Sequence, residues 1–395
     1  MKNLRNRWVL AIAGTLCCAS AYAADAVKVG VVGPFSGPFA GAFGTPFRQG
    51  VEAYVAMNGT TAGGVPVEFI YRDLPSPDPQ KAKSIAQDLV VKDKVQYLAG
   101  FVFTPNAMAA APLIQSAKVP LVIFNASTSM VVSKSDFFVR TSNTLPQVTV
   151  PVAKYALEKG IKTVVTVVSD YGPGLDAEAS FKSAFEAGGG KIVEAIRMPM
   201  TATDFGPFLQ KVRATAPEAM FAFLPFGPPT YSFVKAYHDN GLKAAGIRFL
   251  GTGETQESDL QAQGDAAIGI ETGYHYSSAH NSPENKAFLA SLAKIHPTAV
   301  ANPATVAAFD GTHVLYKMIA ATGGKPDGAK AVASIQGMAW NSPRGPIKID
   351  EKTRDIIQNV YMRIVEKGSG GKLINKEFKT FEAQPDYGRQ GTGPK

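Results

Sequence analysis

The chain has 395 residues, a formal net charge of +8 and 45% hydrophobic residues, enough to bury a large core without disulfide or metal staples. Both cysteines, Cys17 and Cys18, and three of the basic residues, Lys2, Arg5 and Arg7, lie in the first 23 positions. The positive charge is spread out, and no basic block is interleaved with aromatics, so nothing argues for nucleic acid.

Those first 23 residues read as a secretory signal. Lys2, Arg5 and Arg7 form a basic start, and Trp8–Ala19 is an apolar run too short for a comfortable membrane span. Ala21-Tyr22-Ala23 gives a small-x-small cleavage pattern, so the mature chain is expected to begin at Ala24, with no cysteine and a net charge of +5. No later stretch is long and apolar enough to cross a bilayer.

The mature chain alternates strand-like and helix-like segments, the pattern of an α/β protein with parallel sheets. Val27–Val32 reads as a buried strand running into the Gly/Pro-rich loop Gly33–Gly44, with a helix from about Thr45–Pro46. Val67–Tyr71 is a strand, 78–92 a helix, 95–100 a strand, 106–117 a helix and 120–124 a strand. After a polar stretch at 140–145 the pattern restarts. Residues 146–159 read as helix, 163–168 as strand, 174–187 as helix and 192–197 as strand. Helix at 205–214, strand at 219–224, helix at 231–240 and strand at 247–250 follow.

Two such blocks fit two lobes better than one oversized sheet. Helices at 303–321 and 329–336 and a hairpin-like pair, 346–350 with 358–366, are expected to return and complete both lobes. The expected division is a first lobe of 24–145 with 276–352 and a second of 146–275 with 353–383. Crossings are expected near Ser142–Gln147, Gly273–Ser277 and Ile349–Asp355, and a disordered tail over 384–395.

Catalytic patterns are missing. The five histidines are scattered without metal-ligand spacing, and no P-loop, nucleophile elbow or dinucleotide fingerprint is present. The reading is therefore of a binding protein, with no catalytic residue, metal or cofactor. Loops at strand ends carry hydroxyls instead. Thr104 follows one strand and opens a helix, and Ser127-Thr128 follows the next. Hydroxyls and backbone N–H groups at a helix N-terminus suit a carboxylate, whereas helix capping is the simpler role for either residue alone. Phe35, Phe39, Phe43, Phe101 and Phe103 from the first block, with Tyr171 and Phe226 from the second, would supply the apolar wall of a small-molecule cleft.

Several motifs together carry a resemblance: Gly33-Pro-Phe-Ser-Gly-Pro, Asp78-Pro79 before a helix, Gly100 with its loop, Asp170-Tyr171-Gly172-x-Gly174, Thr203-Asp204-Phe205 and Gly264-Asp265-Ala266-Ala267-x-Gly269. Over the whole mature chain the sequence resembles periplasmic solute-binding proteins of ABC importers, in the leucine/isoleucine/valine-binding group. The resemblance implies a type I periplasmic binding fold: two Rossmann-like lobes with parallel-sheet cores joined by a multi-strand hinge. It implies a monomer in the periplasm that captures a small apolar carboxylate by lobe closure and delivers it to a membrane permease. The carboxylate would be held by Thr104, Ser127 and Thr128, with Phe43, Phe103, Tyr171 and Phe226 around it. An acidic residue holds the α-ammonium in amino-acid binders; that position falls near Gly253, with Glu254 one place out. The expected solute is a branched-chain or related amino acid. The alternatives are an aromatic or branched acid lacking the amino group, or a ligand sensor for a membrane receptor.

Overall fold

The computed structural model describes residues 25–389, so the expected signal segment and residues 390–395 lie outside it. Two sheets form the core, each the centre of a lobe. The first lobe opens with β1 (Val27–Gly33), whose valines are buried on both faces, followed by a π-helical turn (Ala40–Gly44) and α1 (Thr45–Asn58). Gly44 permits this compact entry, because a Cβ there would lie 2.0 Å from the Pro34 carbonyl. Then come β2 (Thr61–Ala62), β3 (Val65–Asp73), α2 (Pro79–Val91), β4 (Tyr97–Gly100), α3 (Thr104–Ala117), β5 (Leu121–Ile123) and β6 (Phe138–Arg140). The sheet order is β2-β3-β1-β4-β5-β6, parallel except for the β2–β3 hairpin. Asp78 caps α2 by accepting the Lys81 N–H at 2.9 Å.

The chain then crosses to the second lobe. Here α4 (Leu145–Glu158) is capped by Thr144, which accepts the Gln147 N–H. It is followed by β7 (Thr163–Ser169), α5 (Gly172–Ala187), β8 (Lys191–Met198), α6 (Gly206–Thr215), β9 (Ala219–Phe223), α7 (Pro228–Asp239), β10 (Arg248–Gly251), α8 (Glu257–Gln263) and β11 (Glu271–Tyr274). Strands β8, β7, β9, β10 and β11 are neighbours in that order and run parallel.

After β11 the chain returns to the first lobe as α9 (Pro283–Ile295) and α10 (Pro303–Thr322). Helix α10 is nearly all buried and lies so close to α1 that a Cβ on Gly50 would meet the Thr305 carbonyl at 2.2 Å. The remainder is α11 (Gly328–Ala333), β12 (Ala339–Ser342), β13 (Gly345–Ile349), β14 (Ile356–Lys367) and β15 (Leu373–Gln384). These four strands extend the second sheet antiparallel from β11, giving nine strands in all. β14 bridges the lobes: Ile356 and Val360 belong to the first-lobe core, and Val365 belongs to the second.

The segment beyond Gln384, expected as disordered tail, is fastened as far as the structure describes it. Asp386 is buried and accepts from the hydroxyls of Ser129 (2.5 Å) and Thr144 (2.9 Å). Strands β2, β6, β11, β12 and β15 and helices α8 and α9 were not expected from the sequence.

Candidate functional site

The carboxyl ends of the parallel strands of both lobes open onto one cleft, where ligands bind in sheets of this kind. On the first-lobe side the exit of β4 is unusual. Gly100 has φ +98, and a Cβ there would lie 2.1 Å from the Val32 carbonyl. Phe101 also adopts a positive φ, +61, donating its N–H to that same carbonyl at 2.8 Å while its ring is wholly buried. Two left-handed residues in succession turn Val102–Thr104 out of the sheet and start α3 at the cleft. Such strain persists only where the surroundings hold it. Here the β5 exit does so: the Phe124 and Ala126 N–H groups donate to the Gly100 and Phe101 carbonyls, and Asn125 Nδ2 donates to Val102 O.

The loop after β5 is gripped from behind by Arg140. Its guanidinium is fully buried, pairs with Asp355 at 2.6 Å and donates to the carbonyls of Ala126 (2.8 Å), Thr128 (2.9 Å) and Ser129 (3.4 Å). Engaging three carbonyls fixes the orientation of Ser127 and Thr128 between them.

On the second-lobe side, Gly174 lets α5 start close to its strand, since a Cβ there would lie 1.8 Å from Ser169 O. This sets Tyr171 at the N-cap, facing the cleft. After β9, Gly227 has φ +97 and donates its N–H to Asp259 at 2.9 Å. The turn presents Phe226, whose ring lies parallel to Phe43 of the other lobe (5.5 Å between centroids, 11°) and edge-on to Tyr274 (5.8 Å, 77°).

Six of the eight expected residues line the cleft: Phe43, Phe103, Thr104, Ser127, Tyr171 and Phe226. Thr128 is not among the lining residues, but its hydroxyl shares a 3.0 Å hydrogen bond with that of Thr104. Thr104 is the first residue of α3 and not its cap; the N-cap position is Phe103, which makes no side-chain cap bond. Helix α5 likewise has no side-chain cap. Two helix N-termini from opposite lobes therefore bring positive dipole ends to the cleft, a setting that favours an anion. Burial, and secondarily the charge of Glu254, pushes the Tyr171 hydroxyl up, keeping it protonated as a donor.

Glu254 is placed differently from the expectation. Its wholly buried carboxylate does not line the cleft but accepts the N–H groups of Thr252 (2.5 Å) and Leu224 (3.2 Å), tying the β10 exit to the β9 exit. Burial raises it from its ordinary 4.5 to about 7. Phe35, Phe39 and Phe101 also stay outside the lining: Phe35 packs edge-on to Tyr71, Phe39 edge-on to Phe103, and Phe101 is core. Asn125, Asn143, Leu145, Phe223 and Tyr274 line the cleft without having been singled out. No Asp, Glu, Lys or Arg is found among the lining residues.

The family described as periplasmic binding protein matches residues 26–372. The chain belongs to the periplasmic binding protein family. As a member it is a solute-binding protein of an ABC transporter. It is 53% identical over 376 residues to Leu/Ile/Val-binding protein homolog 6 of Brucella abortus, covering 94% of this chain and 95% of that one. It superimposes with a TM-score of 0.90 and 56% identity on an ABC-transporter solute-binding protein of R. palustris in complex with 4-hydroxybenzoate, covering 92% of this chain and 99% of the other. A solute-binding protein of Rhodopseudomonas palustris BisB5 in complex with 3,4-dihydroxybenzoic acid gives a TM-score of 0.88 at 42% identity, with the same coverages. Its strong relatives thus include proteins named after branched-chain amino acids and proteins holding hydroxylated benzoates.

Proposed function

We propose that this binding protein captures an aromatic carboxylate in the periplasm and delivers it to a membrane permease. The carrying observation is the neutral lining of the cleft. An α-ammonium buried there would meet no carboxylate, and burying an unpaired charge is strongly unfavourable. A carboxylate has what it needs: the hydroxyls of Thr104 and Ser127, the Tyr171 hydroxyl as donor, and two helix N-termini. The solute's ring would lie against Phe43, Phe103 and Phe226, which suits an aromatic body better than a short polar chain. The benzoate-type solutes held by the Rhodopseudomonas proteins agree with this reading.

Capture proceeds by closure of the lobes about the crossings at 142–147, at 273–277 and within β14 between Val360 and Val365. The closed arrangement is supported by the Phe43–Phe226 stack, by the Ser129 N–H donating to Asp176 (3.0 Å) and by Asn302 Nδ2 donating to Ser258 Oγ (3.3 Å). Each contact links elements of different lobes, so a ligand that fits the closed cleft shifts the population toward it. Nothing in this role alters the solute. Export follows cleavage after Ala23, which intact-mass measurement of periplasmic material checks.

A branched-chain amino acid is the second reading, favoured by the name of the Brucella relative. It requires Glu254 to leave its backbone partners and face the cleft. A thermal-shift screen of ligand-stripped protein against benzoates, phenylacetates, short aliphatic acids and the twenty amino acids separates the two. Stabilisation by the benzoate group supports the proposal; stabilisation by leucine, isoleucine or valine alone contradicts it.

A further inference from the structure

Asn143 sits in the crossing between β6 and α4, is 2% exposed, and lines the cleft beside Leu145 and Tyr274. Its Nδ2 donates to the Thr144 carbonyl at 3.1 Å. That bond decides which end of the amide is which, because the reversed orientation would set two carbonyl oxygens face to face. The other end, Oδ1, is shielded from solvent and receives no hydrogen bond from any described residue. The hydroxyls of its two chain neighbours are occupied: Thr144 Oγ1 accepts the Gln147 N–H and donates to Asp386, and Ser142 Oγ donates to the Asn125 carbonyl. A buried acceptor without a donor is costly, and an amide oxygen can do nothing but accept.

A solute held in the cleft can supply the missing donor. A carboxylate has no proton to give at neutral pH and would be repelled by Oδ1, and an unsubstituted ring has no polar donor. A ring hydroxyl does. We propose that Asn143 is the specificity-determining contact for a hydroxyl on the solute's ring, and that the solute is a ring-hydroxylated aromatic carboxylate. The inference rests on the aromatic-acid reading above and adds to it a second polar anchor on the hinge side of the cleft. A site built to pair with a hydroxyl discriminates against analogues lacking it, because the protein group is then left buried and unpaired.

The test is calorimetric titration of the ligand-stripped full chain, wild type and Asn143→Leu, with 3- and 4-hydroxybenzoate, their fluoro analogues, benzoate and leucine. The better hydroxybenzoate is expected to bind wild type at least about fivefold tighter than benzoate or the matching fluorobenzoate, which keeps the size but loses the donor. In Asn143→Leu that preference collapses to within about twofold. A fluorobenzoate that binds wild type as tightly as the hydroxybenzoate overturns the proposal without recourse to any variant, as does an undiminished preference in Asn143→Leu. Should the variant fail to fold, the wild-type series alone decides. Binding of leucine with no binding of any benzoate overturns the aromatic-acid reading itself, and is distinguished from the other failures by the bare benzoate titration.

Discussion

The ring of Phe226 lies over the bare α-carbon of Gly253, so closely that a Cβ added there would come within 2.2 Å of Phe226 Cζ. The position at which the family resemblance expects the acidic partner of an α-ammonium falls near Gly253. An aromatic ring fills that space here, held by Phe43 on one face and by Tyr274 at its edge. A ring, not a carboxylate, forms this part of the cleft wall.

Gly253→Ala should therefore push Phe226 off the Phe43 stack. Overpacking of this kind costs about 1–3 kcal/mol, and the displaced ring should weaken aromatic-acid binding by about tenfold or more. Titration of the variant beside wild type checks this, with unchanged affinity counting against a role for the Phe226–Gly253 contact.

Thr104→Val keeps the shape and removes the hydroxyl that faces the cleft. Loss of a hydrogen bond to a charged group should reduce carboxylate binding by about 1.5–3 kcal/mol. Affinity within twofold of wild type would show that Thr104 serves only to hold Thr128, to which it is bonded at 3.0 Å.

Arg140→Met leaves Asp355 buried with, among the described residues, the more distant Arg389 at 3.4 Å, and releases three loop carbonyls. Removing one partner of a buried pair typically costs about 3–5 kcal/mol. Urea denaturation should show a loss of that order, and the surviving folded protein should bind more weakly because Ser127 and Thr128 are no longer fixed. Wild-type stability in the variant would mean that the pair is dispensable.

Glu254 gives a pH signature. Its folded-state value of about 7 lies above its ordinary 4.5, so the folded protein holds the proton more tightly than the unfolded chain between these values. Its contribution to unfolding free energy therefore falls as pH rises from 4.5 to 7, by on the order of 3 kcal/mol. Other buried acids, Glu257 and Asp310 among them, are shifted in the same direction, so the comparison must be between wild type and Glu254→Gln. Denaturation at pH 5 and pH 8 should show a smaller pH dependence in the variant, while aromatic-acid affinity stays within about threefold. Equal pH dependence in both proteins would remove Glu254 as its source.

The parts of the fold legible in the sequence are those whose pattern is set by burial on both faces. The valine runs of β1 and β7 and the helices that follow them read directly. β15, LINKEFKTFEAQ, did not, because it is half exposed, pairs only with β14, and its lysines and glutamates mask the alternation. β11 is four residues long and carries a glutamate, a threonine and a glycine. Within the cleft, Thr104, Tyr171 and Phe226 were findable because each follows a strand and opens a helix. Asn143 and Tyr274 were not, since they lie in crossings between lobes, where no periodicity marks which side chain faces inward. Glu254 shows the limit of register. Its chain position points toward the cleft, but the nearby N–H groups of Thr252 and Leu224 need an acceptor, and its carboxylate answers them.

On the function proposed above, the neutral, aromatic cleft takes an aromatic acid and not an α-amino acid. The most direct test is competition by isothermal titration on protein unfolded and refolded to strip any carried solute, with 4-hydroxybenzoate titrated in the presence and absence of excess leucine. Saturable one-to-one binding of 4-hydroxybenzoate that leucine leaves unchanged is the expected result. Saturable binding of leucine, with no heat from 4-hydroxybenzoate, would contradict it.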